Sequence, residues 1–219
     1  PGRIKLFGDL LDIMKAAGEK DPGVKIKMAR FDAMLNNSMK NYEGQVEVLH
    51  YIEMLQNLVG YDKVANTVTK KLECLKVAPY YGCMLLRPKK EMEFDDPEQP
   101  TIFEEFLEAI GCGVVDFPMK TECCGGFQVV REEETAVACS QNVVNSASRR
   151  DADVIVTTCP LCRYNLDRHQ EQMAERVSGF RKIPVVYFTQ LLGVALGLGK
   201  EHLDFTDNTV DPMPVLVEK

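Results

Sequence analysis

Asp153-Val154-Ile155-Val156-Thr157-Thr158-Cys159-Pro160-Leu161-Cys162 reads as a strand that runs straight into a helix. Val154, Ile155 and Val156 form a continuous apolar run, the pattern of a parallel strand covered on both faces. Pro160 stands where a helix begins, because its fixed φ and missing N–H are harmless in a first turn. The helix is expected to continue to about Val177. Cys159 and Cys162 therefore fall at the junction of strand and helix.

The same alternation extends in both directions. Downstream, Ile183 to Phe188 is predicted as the last strand and Thr189 onward as the last helix, with an irregular tail after Phe205. Upstream, Glu132 to Ser148 is predicted as a helix whose acidic first turn suits the helix dipole. Before it come a strand over Val114 to Phe117, a helix over Ile102 to Ile110, an acidic proline-rich loop from Glu91 to Pro100, and a strand over Lys76 to Tyr80. Strands alternating with helices in this way predict an α/β fold, a parallel sheet flanked by helices on both faces. Binding sites in such sheets gather at the C-terminal ends of the strands. Cys83, Cys123, Cys124, Cys159 and Cys162 each follow a predicted strand, so the fold should bring all five thiols to one edge of the sheet.

The first 72 residues are expected to be mostly helical, with one or two strands. Apolar residues at 6, 7, 10, 11, 14 and 17 have helical spacing and end at Gly18. A short apolar segment lies around Val24 and Ile26, helical periodicity returns from Phe31 to Met39, and Val46 to His50 reads as a strand. Helices are then expected from Tyr51 to Leu58, stopped by Gly60, and from Tyr61 to Leu72. Lys25 to Asp32 can be laid on Thr158 to Asn165, with Ile26 and Ala29 at the two cysteine positions, and Val46 to Gly60 on Ile183 to Gly197 without a gap. The chain thus divides into a partial, degenerate repeat (1–72), a cysteine-rich domain (73–205) and a C-terminal tail (206–219).

Composition narrows the function. A formal net charge of −7 argues against non-specific binding to nucleic acid or an anionic membrane. No apolar run reaches the roughly 18 residues of a spanning helix. Nothing resembling a signal peptide opens the sequence, so a cytoplasmic location is expected. The chain begins Pro1-Gly2 without Met, as a processed or partial chain would. Eight cysteines without secretory features indicate metal binding or redox work before structural disulfides.

The cysteine spacing is C-x39-C-C-x34-C-x2-C, five thiols in three places. Thiolates are soft ligands that favour zinc or iron-sulfur centres. Structural zinc takes four ligands in a tetrahedron, so five thiols are one too many. Adjacent cysteines chelate one ion poorly, whereas a cluster with several irons accepts a thiolate on each of two metals. Gly125 and Gly126 would let the backbone approach and aim N–H groups at sulfur, though a plain tight turn also uses glycine. A metal-free CxxC thiol oxidoreductase is a further reading, since a helix start lowers a thiol pKa. That reading leaves Cys123-Cys124-Gly125-Gly126 unexplained. Cys74, Cys112 and Cys139 read as small buried hydrophobes. His50, His169 and His202 read as surface or core residues, with His169, two turns beyond Cys162, a candidate proton donor.

Ala78-Pro79-Tyr80-Tyr81-Gly82-Cys83, Leu85-Leu86-Arg87-Pro88, Glu122-Cys123-Cys124-Gly125-Gly126, Cys159-Pro160-Leu161-Cys162-Arg163-Tyr164-Asn165-Leu166-Asp167 and Thr189-Gln190-Leu191-Leu192-Gly193 resemble the C-terminal cysteine-rich (CCG) domain of the family of heterodisulfide reductase B subunits. The resemblance covers about residues 45–204. It implies a non-cubane [4Fe-4S] cluster held by Cys83, Cys123, Cys124, Cys159 and Cys162, and reductive cleavage of the coenzyme M–coenzyme B disulfide. It also implies two partners, a ferredoxin-like subunit and a flavin-containing subunit of a heterodisulfide-reductase-like complex. Full-length members carry a pair of such clusters. This chain has one set of ligands, with Ile26 and Ala29 where the other CxxC would fall, so one cluster is expected. The expected function is that of an iron-sulfur redox subunit, which reduces a disulfide or thiol substrate or relays electrons. The alternative is a zinc-stabilised docking subunit.

Overall fold

The structure, a computed structural model, describes residues 49–216. The expectations for helices over 4–17 and 31–39, the segment around 24–26, the repeat at Ile26 and Ala29, and positions 46–48 lie outside these residues. Leu49 and His50 are irregular. Residues 1–50 with 87–93 form one unit, of which a helical turn, Lys89–Met92, is described. Residues 51–86 with 94–219 form the other, which holds the sheet.

Among the described residues four strands, β1 (Lys76–Tyr80), β2 (Gly113–Val114), β3 (Val154–Thr157) and β4 (Val185–Tyr187), lie in the order β2-β1-β3-β4. All are parallel, with Val77 opposite both Val114 and Val154, and Ile155 opposite Val185. Among the described residues of this unit the α-helices are α1 (Tyr51–Met54), α2 (Tyr61–Thr67), α3 (Ile102–Ala109), α4 (Glu133–Ser148), α5 (Pro160–Arg168), α6 (Gln170–Arg176), α7 (Phe188–Ala195) and α8 (Met213–Leu216).

Successive strand residues point to opposite faces, and here both faces are core. Val77, Val154, Val156 and Val186 pack with Phe103 and Phe106 of α3 and Leu191 of α7. Ala78, Tyr80, Ile155 and Val185 pack with Val143 and Val144 of α4, Leu166 of α5 and Met173 of α6. The apolar run at 154–156 is thus the signature of a strand buried on both sides, and the predicted α/β architecture is the observed one.

The helix boundaries differ from expectation where a tertiary contact intervenes. The expected helix over Tyr51 to Leu58 is a single α turn followed by a π turn, Leu55–Val59, closed by Gly60 N–H on Leu55 O at 2.9 Å. The helix expected to reach Leu72 stops at Thr67, because Val68 is extended and the N–H groups of Thr69 and Lys70 both donate to Ala195 O at the end of α7. The helix expected over 160–177 breaks at His169 (φ −90°, ψ 7°) into α5 and α6. The break sets the buried amide of Gln170 against the Ile183 backbone, accepting from its N–H at 2.9 Å and donating to its O at 2.7 Å. Ile183 is thereby satisfied outside the ladder, and β4 is shorter than the expected 183–188. The expected strand over 114–117 is a two-residue edge strand, extended by Val115 N–H on Val77 O. The tail is irregular up to α8 yet tied down, since the Asp167 carboxylate, 3% exposed, accepts the N–H groups of Thr209 and Val210 at 2.6 and 3.2 Å. Among the described residues no helix is long and apolar enough to cross a membrane.

Candidate functional site

Three connections at the C-terminal edge of the sheet carry the cysteines. Cys83 lies in the turn after β1, Cys123 and Cys124 in the loop between β2 and α4, and Cys159 caps α5 with Cys162 in its first turn. All five thiols line a single cavity of about 110 Å³, together with Tyr81, Met84, Leu85, Gly126, Phe127 and Leu161. No charged side chain is among these residues. Met84, Phe127 and Leu161 are exposed at its mouth.

Two thiol pairs stand close. Cys83 Sγ is 4.0 Å from Cys123 Sγ, and Cys124 Sγ is 3.6 Å from Cys162 Sγ. Among the described residues no three Cys, His, Asp or Glu side chains converge as ligands of a single ion. The thiols differ in charge preference. The Cys162 thiol pulls Cys159 down to about 6, against burial and aided by the α5 N–H groups of Cys162 and Leu161. The same thiol pulls Cys124 down to about 7, again against burial and aided by the Gly126 N–H. Cys162, which shares its proton with both, is driven far up. Burial, then the neighbouring Cys123, lifts Cys83 to about 11.

Glycine lets the loops come this close. Gly125 has φ +76°, and a Cβ there would lie 2.7 Å from Ala136 Cα in α4. Gly82 has φ +67°, and its Cβ would lie 3.1 Å from Cys162 Sγ. The Gly125 N–H donates to Cys123 Sγ at 3.3 Å. Behind the loop, Cys124 O accepts from Ser140 Oγ at 2.9 Å and from Asn165 Nδ2 at 3.2 Å. Both partners are fully buried polar residues, as a held backbone carbonyl requires. Asn165 is legible as part of the helix that carries Cys162, three residues on and so on the same face. Ser140 carries no such signal.

The loop also leans on an ion pair. Lys120 Nζ lies 2.8 Å from Glu104 and 3.0 Å from Asp116. Burial acts against the ammonium, but hydrogen bonds to Glu104 and Asp116 outweigh it and raise its pKa above 10.5. A folded-state pKa above the unfolded one means stabilisation that is complete below about pH 10.5 and lost as pH rises through the folded value. Denaturant midpoints followed into the alkaline range should therefore fall more steeply for the native chain than for Lys120→Met. Parallel curves would contradict this.

The remaining sulfur and histidine sites stand apart. Cys112 is a buried hydrophobe, as expected, its thiol pushed up to about 12 by burial. Cys74 is exposed instead, because the chain between α2 and β1 is a surface turn. Cys139 is half-buried on α4 under the cysteine loop, its Cβ 3.2 Å from where a Gly125 Cβ would be. His169 does not line the cavity. It is buried at the break between α5 and α6, seven residues beyond Cys162 and so roughly 10 Å along the helix at about 1.5 Å per residue. Its Nδ1 lies 3.8 Å from Glu133, and its ring meets Tyr164 edge-on at 5.8 Å.

A parallel sheet with five thiols gathered at the ends of its strands defines a cysteine-rich domain of the CCG type, and residues 77–167 match the family described as CCG, cysteine-rich domain. The chain is 35% identical over 202 residues to the 8-methylmenaquinol:fumarate reductase membrane anchor subunit of Wolinella succinogenes, covering 92% of this chain and 69% of that one. It is 33% identical over 214 residues to the B subunit of the ferredoxin:CoB-CoM heterodisulfide reductase of Methanosarcina mazei, covering 97% of this chain and 70% of that one. The B subunit of the ferredoxin/F(420)H(2)-dependent CoB-CoM heterodisulfide reductase of Methanosarcina acetivorans is 35% identical over 202 residues, covering 91% and 66%. The chain belongs to the family of heterodisulfide reductase B subunits, and spans about two thirds of the length of these relatives. The fold alone is shared with a hypothetical protein from Helicobacter pylori, at TM-score 0.60 and 11% identity over 89% of this chain and 34% of that one.

Proposed function

We propose that this chain is the iron-sulfur subunit of a heterodisulfide-reductase-like redox complex. Cys83, Cys123, Cys124, Cys159 and Cys162 hold one non-cubane [4Fe-4S] cluster in this reading, and the protein reduces a disulfide or relays electrons. The observation that carries it is the convergence of all five thiols on one cavity without a charged wall. The donor set fits the group: five soft ligands, four of them in two close pairs, with glycine at Gly82 and Gly125 letting the loops approach. When bound, the cluster supplies one-electron chemistry. The chain's own residues hold the thiols in place, aim backbone N–H groups at them, and keep charged side chains out of the cavity. The open mouth at Met84, Phe127 and Leu161 gives a disulfide or thiol substrate access from solvent.

In this reading electrons arrive through a ferredoxin-like subunit from a flavin-containing subunit, in the cytoplasm. Protein purified without oxygen should be brown and give an EPR signal. A second reading is a zinc-stabilised docking subunit, whose docking role alone has support in the Wolinella relative's name as a membrane anchor subunit. A colourless preparation with zinc as its metal would establish that reading instead.

A further inference from the structure

We infer that Tyr81, Glu104 and Lys120 form a positioning staple that sets the gap between Cys83 and Cys123. The three residues come from separate parts of the fold: the turn directly after β1, helix α3 and the loop ahead of Cys123. The Tyr81 hydroxyl donates to the Glu104 carboxylate and accepts the Phe103 N–H at 2.8 Å. Lys120 Nζ donates to the same carboxylate at 2.8 Å. Lys120 O in turn accepts the N–H groups of Tyr81 and Gly82 at 2.9 and 3.3 Å. The hydrogen bonds close a ring, from the Tyr81 side chain through Glu104 and Lys120 back to the Tyr81 backbone.

The ring lies two residues before Cys83 on one side and three before Cys123 on the other. Tyr81 is 1% exposed, and the side chains of Lys120 and Glu104 are 17% and 16% exposed. An ion pair this shielded from water holds its geometry better than a surface pair. A separate bond, Tyr80 hydroxyl to Glu122 O at 2.7 Å, secures the peptide that leads into Cys123. The other pair is held by different groups, Cys124 by Ser140 and Asn165 on its carbonyl and Cys162 by its place in the first turn of α5, so the staple acts on one thiol pair and leaves the other alone.

The test compares Lys120→Met and Lys120→Arg with Arg181→Met in the full chain, prepared without oxygen. Arg181 binds Ser148 and Ala152 at the opposite end of the sheet, so its loss is a control for general destabilisation. The first readout, which rests on the cluster reading, is the rate at which a chelator removes iron. Lys120→Met should release iron about tenfold faster, the factor that roughly 1.4 kcal/mol represents. Lys120→Arg, which keeps the charge, should restore the slow rate, and Arg181→Met should leave it unchanged. If the chain is isolated without iron, the cluster reading fails, and the staple is read by cross-linking the reduced thiols with dibromobimane. The Cys83–Cys123 product should then fall about tenfold in Lys120→Met relative to the Cys124–Cys162 product, by the same conversion. Native rates or product ratios in Lys120→Met, or equal effects from Arg181→Met, would overturn the inference.

Discussion

Cys162→Ser is expected to lose at least about 100-fold in metal affinity, more than the 10- to 100-fold that follows from disturbing groups behind a ligand. Cys162 Sγ lies 3.6 Å from Cys124 Sγ, and Cys162 shares the first turn of α5 with Cys159 as its N-cap, so removing its sulfur opens the centre of the thiol set. Serine is nearly isosteric, which keeps the packing change small. Cys112→Ser is the matched comparison, because Cys112 is equally a buried cysteine but belongs to the core on the other face of the sheet. Metal content per chain should collapse in the first variant and stay at the native level in the second. Retention of metal by Cys162→Ser would remove Cys162 from the proposed ligand set.

Gly125→Ala is expected to destabilise the fold by about 3 kcal/mol or more, and to displace Cys123 and Cys124. The left-handed conformation alone costs alanine roughly 1–2 kcal/mol. The new methyl would also lie 2.7 Å from Ala136 Cα and 3.3 Å from Ala136 O, and helix backbone does not give way as a side chain does. Gly179 offers a control with nearly the same φ, +75°, and nothing within 4 Å of its Cβ position. Gly179→Ala should show the conformational term alone, about 1–2 kcal/mol. Denaturant midpoints for the two variants separate the terms, and equal losses would mean that the contact with α4 contributes nothing.

What the sequence discloses of this fold is the part that depends on local pattern. Val154-Ile155-Val156 announces a strand buried on both faces, and Pro160 marks the first residue of α5. What it withholds depends on partners distant in the chain. Nothing near Val68 indicates that Thr69 and Lys70 will bond Ala195 O, so the early end of α2 is not legible. The break at His169 follows from Gln170 pairing with Ile183, thirteen residues away. That break also places His169 at the far end of α5 from the thiols, where counting helical turns makes it a candidate proton donor.

The site divides in the same way. The five cysteines are legible because their spacing, set against predicted strand ends, allows one meeting place. Tyr81 and Leu161 line the same cavity from inside the cysteine motifs, whereas Phe127 lines it without any pattern that would announce it. Glu104 and Lys120 are sixteen residues apart and look like ordinary surface charges until the fold brings them together.

The central claim is that the five thiols hold a single iron-sulfur cluster, and metal and acid-labile sulfide analysis of the chain purified without oxygen tests it most directly. The expected result is about four irons and about four sulfides per chain, the stoichiometry of a [4Fe-4S] centre. One zinc per chain without sulfide, or a fully reduced protein with neither metal nor sulfide, would contradict it.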